Sequence, residues 1–225
     1  MTRAKTNSMI QAAALVLAMP FAIAQGASIS TTTLQRFEQG TPIVGSKSTL
    51  LREPSGLSVT ISTSDLEPGA AYTLWWIIFN HPEECTPPAC GEKDLPPFGG
   101  GPAVNGSAVI ATGHIISSSG EADFGAFLAP GDTTGALFGP GLVNVNGAEI
   151  RLVVRSHGQP ISGMVEEQIS SFEGGCGVNT CFDDQIVIHP PVADEGADAL
   201  AGVQQELLEI RNLLRRIAGR LSLNP

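Results

Sequence analysis

The chain has 225 residues, a formal net charge of −10, and 26 glycines and 16 prolines. That acidity excludes the basic footprint which nucleic acid or an anionic membrane surface demands. Glycine and proline at this frequency, with no collagen period and with alternating apolar runs between the turns, exclude a fibrous or disordered chain and point to an antiparallel β-fold.

Residues 1–24 read as a secretory signal peptide. Arg3 and Lys5 form a positive start, an uncharged apolar run extends from Ala12 to Ala24, and Ala22-Ile23-Ala24 fits the small-x-small rule for cleavage before Gln25. The run is about 13 residues, short of the roughly 20 that a spanning helix needs, and no later segment is long and apolar enough, so no membrane span is expected. No cysteine precedes Cys85, and Arg3 and Lys5 are not adjacent, which argues against a lipid anchor and a twin-arginine signal. Without Arg3 and Lys5 the net charge moves from −10 to −12. A secreted or periplasmic protein is expected.

The mature chain opens with the β-prone segment Ser28 to Leu34, a candidate edge strand. Ile43 to Arg52 and Leu57 to Ser62 follow, the latter alternating Leu57, Val59 and Ile61 against Ser58, Thr60 and Ser62, as a strand with one wet face does. Then comes Ala71-Tyr72-Thr73-Leu74-Trp75-Trp76-Ile77-Ile78-Phe79, led in by Glu67-Pro68-Gly69 and out through Pro82. Alternation puts Tyr72, Leu74, Trp76 and Ile78 on one face and Thr73, Trp75, Ile77 and Phe79 on the other. Both faces are apolar, so this central strand is expected to be covered by a second sheet on one side and by a loop, the C-terminal helix or a ligand on the other.

Pro96 to Pro102 can only be a loop. Ser107 to Ser117 and Ala122 to Leu128 predict a hairpin around Ser118-Ser119-Gly120-Glu121, and residues 129–146 a long excursion with little regular structure. Glu149 to Ser156, Met164 to Phe172 and Gln185 to His189 bring the count to about eight or nine strands. The predicted fold is an all-β antiparallel sandwich over residues 25–190, with a small barrel as the alternative.

The four cysteines form two equally spaced pairs, Cys85 with Cys90 and Cys176 with Cys181, in a chain read as exported, so disulfides are expected. Three connectivities are possible. The two local bonds are favoured because each would bracket a turn-rich loop. Such bonds contribute about 2 kcal/mol in the chain-entropy model, against about 4.5 for a link across some 90 residues, so they would pin loops and not the fold. A four-thiolate zinc site needs tighter spacing and a reducing compartment, and no metal is expected.

After His189-Pro190-Pro191 the β-pattern stops, and a linker is expected over residues 191–199. Leu200, Val203, Leu207, Ile210, Leu214, Ile217 and Leu221 then recur at alternating spacings of 3 and 4, a heptad seam inside a helix expected over residues 200–223. The seam is roughly 33 Å long at about 1.5 Å per residue. Leu at the a positions, with Ile210 and Ile217 at d, predicts a homotrimer or homotetramer. A helix folded back over the tryptophan strand is the competing arrangement.

Motifs for chemistry are sparse: the chain has no nucleophile elbow, zinc-binding helix, phosphate loop or Cys-x-x-Cys. No cofactor is expected. Arg151, Arg155 and His157 share one face of a strand with Val153, opposite Ile150, Leu152 and Val154, and two guanidinium groups beside an imidazole form a candidate anion site. With His114 they are the candidate ligand-binding residues, set against a competing arrangement in which the arginines pair with Glu149, Glu166 or Glu167. His81 and His189 precede prolines at strand ends, and the acidic pairs Glu83-Glu84 and Asp183-Asp184 read as solvated turns.

The segments Tyr72 to Asn80 up to Cys85, Ala111-Thr112-Gly113-His114-Ile115, and Leu152 to Gly158 through Gln168 to Cys176 resemble a group of uncharacterised secreted prokaryotic β-rich proteins over roughly residues 60–190. The resemblance implies an exported β-rich domain and carries no activity onto any position. The expected function is therefore a binding or structural role for an exported oligomer that meets an extracytoplasmic ligand. The alternative is an extracytoplasmic enzyme with a metal or anion site near His114, Arg155 and His157.

Overall fold

Alternating apolar and polar side chains let each strand bury one face, and two such sheets close on one another. The computed structural model describes residues 26–192 and 204–212. The strands are β1 (Ser28–Thr32), β2 (Gln35–Arg36), β3 (Lys47–Glu53), β4 (Gly56–Thr63), β5 (Ala71–Phe79), β6 (Gly106–Ile115), β7 (Ala122–Leu128), β8 (Ala136–Phe138), β9 (Glu149–Ser156) and β10 (Phe182–His189), with a short helix α1 (Val165–Gln168). They form a four-stranded sheet in the order β1-β3-β4-β7 and a six-stranded sheet in the order β2-β10-β9-β5-β6-β8. Every strand pairing is antiparallel. The chain is an all-β sandwich of two open sheets and not a barrel.

The core lies between the sheets. Leu50, Leu57, Val59, Ile61, Phe124 and Leu128 from the smaller sheet meet Tyr72, Leu74, Trp76, Ile78, Leu152 and Val154 from the larger one. The tryptophan strand β5 sits between β9 and β6 and buries eight of its nine residues, with Ile77 half-buried.

Two elements differ from the sequence expectation. Residues 107–117 and 122–128 do not form a hairpin: β6 pairs with β5 and β8 in one sheet, and β7 pairs with β4 in the other. The turn between them carries the chain across the sandwich, so the inward side chains of β6 face those of β7. The His114 ring stacks on Phe124 at 4.6 Å. Residues 164–172 are not a strand but α1 and a set of turns. The fully buried Gln168 side chain accepts from the Ile161 amide and donates to the carbonyls of His157 and Gln159, while the backbone amides of Gln168 and Ile169 donate within the segment to Met164 and Val165 and so are not available to a neighbouring strand.

Both disulfides are local, Cys85–Cys90 and Cys176–Cys181. Each ties a segment that lies over the outer face of the larger sheet. The first segment carries three 3₁₀ turns, Pro82–Glu84, Glu92–Asp94 and Pro96–Phe98, and packs Cys90, Leu95 and Val104 around Phe79. Buried Asp94 fixes it. One carboxylate oxygen accepts from the Thr86 amide and hydroxyl and the other from the Gly91 amide, and these bonds, the Thr86 amide foremost, hold its pKa below the usual carboxylate range.

The second segment approaches the sheet at Gly113, where a Cβ would meet the Ile169 carbonyl oxygen at 2.2 Å. Only glycine allows that approach.

Residues 204–212 are helical and exposed throughout, with Leu207 59% and Ile210 54% exposed. The signal peptide over residues 1–24, linker residues 193–199, and the seam positions Leu200, Val203, Leu214, Ile217 and Leu221 lie outside the described residues. No helix among the described residues is long and apolar enough to cross a membrane.

Gly113→Val should cost about 3 kcal/mol by forcing the second disulfide segment off the sheet. Thermal unfolding would show the loss, and an unchanged melting temperature would mean that the segment is not seated there.

Candidate functional site

The odd-numbered side chains of β5 point away from the core. Trp75, Ile77 and Phe79 join Ala108 of β6, Val153 of β9 and Ile186 of β10 as the floor of a groove of about 560 Å³ on the outer face of the larger sheet. One wall is the first disulfide segment, through Leu95, Pro97 and Phe98, and the other is the second, through Phe172 and Glu173. Leu137 and Phe138 of β8 and Phe37 after β2 complete the rim. The volume lies in the range of small-molecule sites, and the lining is predominantly apolar, as such sites are.

A second depression of about 510 Å³ lies by β4 and the 117–123 turn, walled mostly by exposed polar residues such as Ser62, Ser119 and Glu121.

The arginines of β9 frame the groove but are already paired. Arg151 donates from Nε to Glu149 Oε1 at 2.8 Å and from Nη2 to the Cys90 carbonyl, and its guanidinium lies 5.0 Å from the centre of the Phe79 ring. Arg155 donates from Nη1 to Asp183 Oδ1 at 2.7 Å and from Nε to the Phe172 carbonyl, with its guanidinium 3.9 Å from the Phe172 ring centre. Each therefore joins the sheet to a disulfide segment. Arg155 uses Asp183, its cross-strand neighbour, and not Glu166 or Glu167.

Asp183 and Asp184 are likewise not a solvated turn. They open β10 at a bulge that turns the two side chains apart, Asp183 to Arg155 and Asp184 to Arg36 at 2.7 Å and to the Tyr72 hydroxyl at 3.0 Å.

His157 lies under the second disulfide. Trp75 Nε1 donates to Thr73 Oγ1 at 2.8 Å, the Thr73 hydroxyl lies 2.8 Å from His157 Nε2, and His157 Nδ1 lies 2.9 Å from the Gly174 carbonyl. The directions follow from satisfaction: a hydroxyl that accepts from the indole donates to Nε2, which leaves Nδ1–H for the carbonyl. The chain of bonds fits the neutral ring. Burial, the largest cause, pushes the His157 pKa down, and neighbouring Arg155 adds to this.

The sulfurs of Cys176 and Cys181 lie 3.9 and 3.7 Å from His157 Nδ1, the one three-residue cluster of metal-ligating types among the described residues. Bonded to each other, they offer no thiolate to a metal.

The expected grouping of His114 with Arg155 and His157 does not form. His114 pairs with Tyr72, whose side chain belongs to the core, so it sits on the inner face, whereas Arg155 and Thr73 are cross-strand partners on the outer face. A strand shows successive side chains to opposite faces, and the sheet lies between the two sets. His81 is half-buried against Glu83, and His189 is buried between Ser30 and Ser48, so the four histidines occupy four separate places.

No signal in the local pattern marked Phe98, Phe138 and Phe172 as groove residues, since each lies at a turn or in a short strand at the edge of the sheet. The bare requirement that β5 be covered on both faces was the available clue. No family model matches the chain, and comparison with curated proteins gives no match. The functional reading rests on this geometry.

Burial, and after it the charge of Arg52, lowers the His189 pKa to about 4 from an ordinary 6.5, and burial also lowers those of His114 and His157. The unfolded chain then binds more protons at acid pH, so His189 leaves stability unaffected above pH 6.5 and removes on the order of 3 kcal/mol as pH falls to about 4. His189→Gln should flatten the pH dependence of unfolding in that window relative to the parent. Parallel curves would show that His189 does not titrate abnormally.

Proposed function

We propose that the protein is an exported, oligomeric β-sandwich with a binding role, and that the groove over β5 is its ligand site. The observation that carries this is the apolar, aromatic-walled concavity framed by two disulfide-tied segments. Its rim leaves Phe37 40%, Phe98 56% and Leu137 49% exposed, a cluster of apolar area that a ligand can cover. The absence of free catalytic groups at its floor favours binding over turnover, since both arginines there are committed to neighbouring acids. Two local disulfides in an acidic chain that begins with a signal-peptide pattern support a secreted or periplasmic site of action.

Assembly is assigned to the C-terminal helix. In a single chain the seam residues Leu207 and Ile210 face solvent, which favours a partner of the same kind over a helix closed on its own sandwich. The seam chemistry favours a trimer or tetramer. Several grooves on one stalk raise avidity for ligands displayed together.

Light scattering on the mature chain should give a multimer that falls to the monomeric mass on removal of residues 196–225 or in the Leu207→Asp/Leu214→Asp double variant. The same mass in all three would remove the assembly reading. For the groove, a neutral solvatochromic dye should bind about tenfold more weakly to Phe98→Ser and Leu137→Asp, with melting temperatures unchanged because both side chains lie at the open rim. Undiminished binding in both variants would place the dye, and the site, elsewhere.

A further inference from the structure

The charges around the groove do not cancel, and the remainder has one sign. Arg151 is neutralised by Glu149 and Arg155 by Asp183. Glu92 on the first wall and Glu173 on the second are exposed lining residues, and neither carboxylate makes a side-chain hydrogen bond or ion pair among the described residues. Among the lining residues the unbalanced charge is therefore that of two carboxylates, one from each disulfide segment. An anionic ligand would meet that field and would have to displace Glu149 from Arg151, losing a bond of 2.8 Å to make another of the same kind.

The walls point the same way. Aromatic rings present a negative face to a cation, and this protein already uses two of them so, with guanidinium groups over Phe79 and Phe172. Phe37, Phe98 and Phe138 line the same groove, and among the described residues none of them stacks on a ring or carries a cation. Apolar floor, open aromatic faces and two exposed carboxylates on the walls are together what a hydrophobic cation requires.

Resting on the groove being the ligand site, we propose that it takes a small apolar ligand bearing one positive charge, an aralkyl or alkyl ammonium group. The apolar body lies along the floor over Ile77 and Val153, and the ammonium group stays at the mouth, between the aromatic rim and the carboxylates of Glu92 and Glu173. The attraction is a partly desolvated one, stronger than an exposed ion pair because ring faces replace part of the water around the cation.

The test uses the full mature protein and three probes of matched shape: 4-phenylbutyltrimethylammonium, 4-phenylbutanol and 4-phenylbutyrate. Calorimetry gives affinities, and quenching of Trp75, with Trp75→Phe as the control, reports that the probe occupies the groove. The ammonium compound should bind about fivefold more tightly than the alcohol, and the butyrate most weakly. In the Glu92→Gln/Glu173→Gln variant the ratio of ammonium to alcohol affinity should fall towards one.

Equal affinity for all three, or preference for the butyrate, would overturn the cationic class while leaving the groove as a ligand site. Failure of all three to bind at millimolar concentration would overturn the groove reading along with it.

Discussion

The constraint on which the structure depends is a central strand with no polar face. Seven of the nine residues of β5 are large apolar or aromatic side chains, which no half-exposed strand position suits, and both faces must be taken from water. The smaller sheet supplies one cover through the core around Tyr72, Leu74, Trp76 and Ile78. A second sheet on the other side would have made a three-layer fold. The chain instead covers that face with two irregular segments, and an irregular cover over a regular sheet leaves a concavity where the segments fail to meet. The groove is the geometric remainder of that solution.

Irregular backbone can lie on a sheet only if its polar groups are satisfied, and here a few buried side chains do that work. Asp94 collects three donors from the first segment, Gln168 bonds three backbone groups of the second, and His157 holds the Gly174 carbonyl while receiving the Thr73 hydroxyl. Fully buried Asn80 has the same role just beyond β5, donating to Asn105 and Gly141 and accepting from Val143 and Asn144. Each of these residues would be costly if left unpaired, at roughly 1–3 kcal/mol per group, so each specifies one loop conformation and penalises others. The short disulfides act on segments already positioned in this way, consistent with their small entropic weight.

This division explains what could be read from the sequence. The sandwich, its central strand and the local disulfides followed from alternation, turn residues and cysteine spacing, all of which act within a few residues. The Ser117 to Glu121 turn was misleading for a physical reason: a tight turn reverses the chain equally well within a sheet or across two sheets, and only the inward packing of β6 on β7 distinguishes them. Met164 to Phe172 carries a strand-like composition, but its backbone amides bond locally, Gln168 to Met164 and Ile169 to Val165, and the Gln168 side chain ties the resulting turns to residues 157–161. Face assignment along β9 was legible because alternation fixes it. The placement of His114 against that face was not, since it depends on the register of β6 with β5 and on the irregularity between Leu74 and Trp75.

The two halves of the proposed function constrain each other. A groove with an open rim gains its affinity from a modest apolar area and from exposed carboxylates that water and salt screen, so a single site is expected to be weak. Oligomerisation does nothing for a free monovalent ligand, because each groove then fills independently. It raises affinity only where several ligand groups are held together within the reach of the grooves. If the heptad seam assembles the chain and the groove takes ammonium-bearing groups, the natural target is a surface or polymer that displays many of them. The acidity of the whole chain, at a net −10, acts in the same direction by drawing such a target in before any groove is occupied.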